Sequence, residues 1–278
     1  MKQIIRTLLL LGCINLSAQN PYFQQKVDYQ ITVKLDDEQH LLDGFITIDY
    51  KNNSPDTLEQ LYFHLWPNAY RNQTTAFARQ MLRLGRQDFY FAKDSQLGSI
   101  SKLDFQVKGK KVRWRLSAKH QDIALLTLNQ PLLPGQSIQL TTPFLVRIPD
   151  SFSRLGHVED SYQVSQWYPK PAVYDRDGWH PMPYLDNGEF YSEFGSFDVK
   201  ITLPENYLVG ATGQLMNPEE QARLEKISQD TRLYLDTFPY PSPFVEYEPS
   251  PISSDTFKTL HFKADKVHDF AWFADKRF

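Results

Sequence analysis

The segment Tyr29–Leu35 (YQITVKL) alternates apolar with polar side chains, and Phe45–Tyr50 (FITIDY) repeats the pattern less strictly. Alternation with period two puts every second side chain on one face and is typical of half-buried strands. Leu42–Gly44 supplies turn chemistry between the two runs, and residues 51–56 (KNNSPD) close the second. These two segments therefore predict the first β-strands of a sheet.

Short runs of the same kind continue along the chain, separated by turn residues. They are Leu58–Leu65, Leu103–Val107, Val112–Leu116, Ile123–Leu128, Ile138–Val146, Phe197–Leu203, Arg232–Phe238 and Lys258–Lys263. Helical signals are few: Asn217 followed by Pro218 and Glu220 predicts a polar helix to about Ser228, and Val267–Phe273 is compatible with a short helical turn. We therefore predict an all-β, mostly antiparallel domain of sandwich or saddle-like shape over residues 19–278, with few short helices.

Composition narrows the functional classes. The 278 residues are enough for one large core. A hydrophobic content of 41% and a charged content of 23% are ordinary for a folded domain. The net charge of −3 leaves no basic surplus to neutralise phosphates, which argues against nucleic-acid binding.

The first 18 residues have the features of a secretory signal peptide. Lys2 and Arg6 precede a short apolar run that ends in Ser17 and Ala18. The run is too short to span a bilayer, so no transmembrane segment is predicted. Cleavage after Ala18 would release a periplasmic or extracellular protein. Alternatively, residues 10–13 (LLGC) resemble a lipobox, which would make Cys13 a lipidated anchor.

No local motif for catalysis is present. The histidines His40, His64, His120, His157, His180, His261 and His268 include no H-E-x-x-H pair, and no serine lies in a G-x-S-x-G turn. With Cys13 as the only cysteine, a cysteine–zinc site is excluded. We therefore predict no catalytic and no metal-ligating residue in this chain.

The densest cluster of functional side chains is Ser165–Phe194, hereafter the aromatic segment, which reads SQWYPKPAVYDRDGWHPMPYLDNGEFYSEF. Its four prolines exclude a long helix. It is either a rigid recognition surface or a large aromatic loop that covers the β-core. Paired acids for glycoside hydrolysis could be drawn from Asp175, Asp177, Asp186 and Glu189, but such pairs carry weight only when their spacing in space is fixed.

Several motifs, in order, resemble the N-terminal β-domain of aminopeptidase N type zinc metallopeptidases, in particular a bacterial branch. They are Val27–Tyr50, Leu61–Tyr70 (LYFHLWPNAY), Phe152–His157 (FSRLGH), Ser165–Pro171 (SQWYPKP), Gly178–Pro181 (GWHP), Glu193–Gly195 (EFG), Gly210–Gly213 (GATG) and Val267–Trp272 (VHDFAW). The resemblance covers essentially the whole chain beyond the leader. In the family, the G-x-M-E-N-like loop and the H-E-x-x-H zinc helix follow this region, and neither motif is in this sequence.

The resemblance implies a substrate-entrance domain for a peptidase that removes N-terminal residues from peptides. Zinc would belong to a C-terminal catalytic domain missing here, and this chain alone would be inactive and bind none. In the family, a glutamine of a short motif helps to hold the α-amino group of the substrate. Gln166 has that place here, whereas Tyr168 stands where many members have Glu. A non-catalytic exported β-sandwich module that binds peptide or carbohydrate stays open as the alternative, and DNA encoding an H-E-x-x-H segment beyond codon 278 would decide between the two.

Export predicts a chain that begins at Gln19 in the native host, because the charged start, apolar run and small residues precede that position. Intact mass spectrometry of the native protein measures this directly. A mass that retains Met1 contradicts export, whereas a diacylglyceryl adduct on Cys13 selects the lipoprotein route.

Overall fold

The computed structural model describes residues 22–237 and 249–277. The predicted signal peptide, including Cys13, lies outside these residues. Within them the fold is all-β and mainly antiparallel, as the sequence predicts, with two α-helices. No helix in the described ranges is long and apolar enough to cross a membrane.

The strands are numbered along the chain. They are β1 Lys26–Asp36, β2 Leu41–Lys51, β3 Leu58–His64, β4 Ser99–Ser101, β5 Gln106–Val107, β6 Lys110–Lys111, β7 Arg113–Leu116, β8 Ile123–Leu132, β9 Ser137–Arg147, β10 Leu155–Val158, β11 Ser161–Val164, β12 Lys170–Pro171, β13 Tyr174–Asp175, β14 Gly178–Trp179, β15 Gly195–Pro204, β16 Leu208–Ala211, β17 Gln214–Leu215, β18 Phe257–Val267 and β19 Trp272–Asp275. The helices are α1 Ala76–Arg83 and α2 Pro218–Thr237, and two 3₁₀ turns span Trp66–Tyr70 and Asp94–Gln96.

Nine strands form the largest sheet, in the order β17-β18-β15-β1-β2-β9-β5-β6, with β4 also on β9. The β1–β15 pair is parallel, and the other pairs of this sheet are antiparallel. Two four-stranded sheets have the orders β12-β3-β8-β7 and β10-β11-β19-β16, and β13-β14 is a hairpin. A continuous cluster of buried residues joins all three sheets, which makes one shared core.

The alternation in β1 and β2 sets the buried face of the large sheet. Val27, Tyr29 and Ile31 of β1 are almost fully buried, while the residues between them are more exposed. The predicted turn at Leu42–Gly44 is wrong, because these residues belong to β2 and the chain turns at residues 37–40. Gly44 serves packing instead: a Cβ there would lie 2.3 Å from the Phe144 ring.

Three other local predictions differ from the structure. The predicted strand at 232–238 is wrong over residues 232–237, since α2 continues to Thr237 rather than ending near Ser228, and Phe238 lies outside the described residues. The helical turn predicted at 267–273 is also wrong, because β18 ends at Val267 and β19 begins at Trp272. Helix α1 was not predicted, although Thr75 is an N-cap whose Oγ1 accepts the Ala78 N–H at 3.1 Å.

Glycine is required where β15 meets β1. A Cβ on Gly195 would lie 1.7 Å from the backbone oxygen of Val27, so a larger residue must push two central strands apart. Gly195→Ala should therefore reduce the free energy of unfolding by about 1–3 kcal/mol or more. Urea unfolding monitored by circular dichroism measures this loss.

Gly210→Ala is the matched control, because a Cβ at Gly210 meets nothing within 4 Å. We expect a change within about 0.5 kcal/mol there. Equal destabilisation by the two substitutions would contradict the steric account of Gly195.

Candidate functional site

The aromatic segment begins with two rings that are buried in the common core. Trp167 lies 5.9 Å from the Phe144 ring centroid and 6.2 Å from that of Trp272. Tyr168 packs edge-on against Tyr29, with centroids 5.6 Å apart. Tyr184, further along, is also fully buried. Much of the segment therefore covers the β-core, as one of the two sequence interpretations holds.

Gln166 lies where the chain leaves one sheet for another. Strand β11 ends at Val164 in the β10-β11-β19-β16 sheet, and β12 begins at Lys170 beside β3. Between them the chain bends at Gln166, which has φ of +58°. The left-handed region costs a residue with a side chain about 1–2 kcal/mol.

The side chain of Gln166 also contains an unsatisfied atom. Its Oε1 is shielded from solvent and accepts no hydrogen bond from any described residue. A buried acceptor without a donor costs about 1–3 kcal/mol. Among the six described non-glycine residues with positive φ, only Gln166 also has such an atom. Unfavourable features of this kind tend to cluster at functional sites, where the surrounding structure enforces them.

Side-chain hydrogen bonds hold the chain that follows Gln166. The backbone ladder between β11 and β19 ends at the pair Val164–Trp272. Beyond it, Trp167 Nε1 donates to the Phe270 carbonyl at 3.0 Å, and Tyr168 Oη donates to Asp269 Oδ1 at 2.7 Å. Side chains thus continue the pairing where backbone groups no longer meet.

Lys170 provides the third link in this series. Its ammonium donates to the His268 carbonyl at 2.5 Å and lies 3.3 Å from Asp269 Oδ1. The rings of Trp66 and Tyr168 lie 5.9 and 5.8 Å from Nζ, within the range of cation–π attraction. Burial lowers the pKa of the Lys170 ammonium, and the Asp269 carboxylate opposes part of that effect.

The buried His64 and Asp122 fix the middle of the aromatic segment. His64 Nε2 accepts the Met182 N–H at 3.1 Å, and Asp122 Oδ2 accepts the Tyr184 N–H at 2.6 Å. Burial lowers the pKa of His64 to about 3, so its imidazole is neutral. Burial raises the pKa of Asp122 to about 6. His64 and Asp122 thus hold the backbone of this segment in place.

Two of the acids considered for glycoside hydrolysis accept hydrogen bonds from nearby side chains, and the other two are exposed. Asp175 accepts from His180 Nε2 at 2.7 Å and from Tyr191 Oη at 3.0 Å. Asp186 accepts from Ser153 Oγ at 2.6 Å and from Arg86 at 3.1 Å. Asp177 and Glu189 are exposed. Asp175 and Asp186 thus brace the segment.

In the part of the chain that the structure describes, no set of side chains is arranged to bind zinc. No group of three or more histidine, cysteine or acidic residues there could hold a metal ion. His40 and His157 stack on each other with centroids 3.7 Å apart, and His261 pairs with Asp198 at 2.7 Å. The His268 ring instead lies against Phe194, 5.7 Å away.

Glu193, at the end of the aromatic segment, is a buried carboxyl that sequence reasoning did not single out as a site. Its side chain is 4% exposed, and Oε1 has no hydrogen-bond partner among the described residues. Burial raises the pKa of Glu193 to about 7; the nearby Asp175 charge adds to this, while the N–H groups of Gln25 and Tyr174 oppose it. The burial that makes this carboxyl unusual depends on the fold and has no signal in the sequence.

Comparison with known proteins gives matches among solved structures only. No family model matches the chain, and no curated protein matches it. A two-domain M1 zinc metallopeptidase bound to L-arginine has a TM-score of 0.44 and 13% identity over 91% of this chain and 42% of its own. An M1 zinc metallopeptidase from Deinococcus radiodurans has a TM-score of 0.41 and 15% identity over the same shares. This chain spans less than half the length of these proteins, and at this similarity we carry over neither activity nor residue roles.

The raised pKa of Glu193 predicts a stability that falls as pH rises. The neutral form is favoured in the folded state, so this contribution is complete below the ordinary pKa of 4.5 and is lost as pH passes through about 7. Relative to Glu193→Gln, the wild-type protein should lose about 2 kcal/mol more unfolding free energy between pH 5 and pH 8.

Urea unfolding at the two pH values measures this difference. Glu193→Gln retains the contributions of His64 and Asp122, so these cancel in the comparison. Parallel stability curves for the two proteins would show that Glu193 is not a buried acid with a raised pKa.

Proposed function

We propose that this chain is the N-terminal, substrate-entrance domain of an exported zinc aminopeptidase, in which Gln166 helps to hold the α-amino group of a peptide. The observation that carries the proposal is Gln166 itself. It combines a left-handed backbone with a buried, unsatisfied acceptor, and it is the residue on which the sequence resemblance places amine recognition.

The spatial arrangement of the resembling motifs supports this role. Residues 165–171 and 267–272 are far apart in sequence, yet they pack against each other through Trp167, Tyr168 and Lys170. These contacts fix the chain on the C-terminal side of the bend at Gln166. On the other side, Ser165 Oγ donates to the Arg154 carbonyl at 2.8 Å, within the segment 152–157 that also carries the resemblance.

The chemistry of an amide suits this role. A peptide α-ammonium is strongly hydrated, so a cleft that removes its water must offer acceptors in return. A glutamine oxygen accepts without titrating, so it works across the pH range. Rotation of the amide about its terminal torsion, which is a broad two-fold coordinate, turns Oε1 from the protein towards a ligand.

In the complete enzyme, zinc would be held by residues outside this chain and would supply activated water for the hydrolysis of the first peptide bond. The proposed role of the present chain is to bind and orient the N-terminus of the peptide. Buried Trp167 and Tyr168 keep water from one side of the bend, and Pro169 and Pro171 restrict its backbone.

Gln166→Ala should lower kcat/KM about ten- to a hundredfold in a polypeptide that joins this chain to a catalytic domain. A hydrogen bond to a charged group contributes about 1.5–3 kcal/mol, and about 1.4 kcal/mol corresponds to a factor of ten. Steady-state kinetics with aminoacyl substrates, and binding of free-amine and N-acetylated inhibitors, measure the effect.

Gln163→Ala is the control, because that glutamine lies in β11 and its amide already donates to Ser151 Oγ at 2.9 Å. Gln166→Gly separates binding from folding, since glycine adopts positive φ without a steric cost. It should fold at least as well as wild type and lose the same amine affinity. Equal weakening of free-amine and N-acetylated ligands would make Gln166 a structural residue of the bend.

A further inference from the structure

We propose that Asp269 is a positioning residue for Gln166, acting through its hydrogen bond with Tyr168; this rests on the proposed function of Gln166. Asp269 lies in the connection between β18 and β19, which has no backbone ladder partner. Its side chain is 16% exposed.

One oxygen of Asp269 receives three donors. Oδ1 accepts Tyr168 Oη at 2.7 Å and the Phe270 N–H at 2.8 Å, and the Lys170 ammonium lies 3.3 Å away. The Phe270 contact fixes the carboxylate on its own backbone. The Tyr168 and Lys170 contacts attach it to the chain two and four residues beyond Gln166.

This arrangement restrains the bend where its own backbone bonding is weakest. The β11–β19 ladder stops at Val164, two residues before Gln166, and β12 begins four residues after it. Within that gap, the side chains of Trp167 and Tyr168 bind the segment 269–270. Trp167 bonds a backbone carbonyl, so Asp269 is the side chain at which this link can be changed.

The link also explains how a tyrosine fits at position 168. The hydroxyl of Tyr168 is directed at a carboxylate, and the ring is held between Tyr29 and Trp167. A side chain that is packed at its ring and hydrogen-bonded at its hydroxyl leaves the preceding backbone little freedom. We therefore expect the orientation of the Gln166 amide to depend on the Tyr168–Asp269 bond.

The direct test is nuclear magnetic resonance of the side-chain amide of Gln166 in this chain. Tyr168→Phe removes one hydroxyl and keeps the ring, and Asp269→Asn removes the charge at nearly constant volume. Both should make the Gln166 amide more mobile on the nanosecond timescale, seen as a reduced heteronuclear Overhauser effect. If Asp269→Asn fails to fold because Lys170 loses its counter-charge, Tyr168→Phe still decides the question.

Tyr174→Phe is the matched control. Tyr174 lies in the aromatic segment as Tyr168 does, and its Oη also donates to a carboxylate, Asp56 Oδ2, at 2.8 Å. It should leave the Gln166 amide unchanged. An equally ordered Gln166 amide in Tyr168→Phe, or equal loosening by Tyr174→Phe, would overturn the positioning role.

A second measurement connects position with binding in the polypeptide that includes a catalytic domain. Tyr168→Phe should weaken a free-amine inhibitor about three- to tenfold, leave its N-acetylated form unchanged, and add no further loss to Gln166→Ala. A further loss in the Gln166→Ala background would refute action through Gln166. If Gln166→Ala has no effect while Tyr168→Phe still loosens the amide, the binding role of Gln166 fails and the positioning contact stands.

Discussion

The burial of Trp167 and Tyr168 in the core shared by the sheets is the contact on which the candidate site depends. Tyr168 packs on Tyr29 of β1, and Trp167 packs between Phe144 of β9 and Trp272 of β19. Two adjacent side chains thus contact strands from two sheets at once. Aromatic rings bury large apolar areas, so this pair anchors the segment more firmly than its short strands could. The two buried residues that follow Gln166 therefore restrain the bend.

The all-β class and most of the long strands could be predicted from the sequence, whereas the start of β2, several short strands and the connections could not. The strands β1 and β2 were predictable because one face of the large sheet is buried and the other is not, which imposes period two directly. The strand prediction failed at residues 232–237, which lie in α2. There Leu233 and Leu235 are exposed, so no buried face selects a strand, and the helix already begun at Pro218 continues. The period of the apolar residues decides secondary structure only where one face of the element packs against a core.

The site was predictable only in part, for the same physical reason. The resembling motif predicts a role for Gln166, which stays a prediction, and nothing local in SQWYP indicates its positive φ or its unsatisfied oxygen. The neighbouring contacts of Trp167 with Phe270 and of Tyr168 with Asp269 join residues about 100 positions apart, which no local pattern reveals. The helical turn predicted at 267–273 was wrong because this connection is held mainly by side chains of residues far away in sequence, which no local pattern reveals. Glu193 escaped notice because an acid in sequence carries no sign of its burial.

The buried ammonium of Lys170 constrains the order in which parts of this protein fold. An unpaired ammonium is expensive to bury, so residues 167–171 cannot close onto the core until the His268 carbonyl and the Asp269 carboxylate arrive. These groups are separated from Lys170 by 98 residues of chain. Until these groups reach Lys170, the tryptophan and tyrosine of the bend stay outside the core, which makes residues 167–171 a late-closing stretch that a chaperone would have to shield.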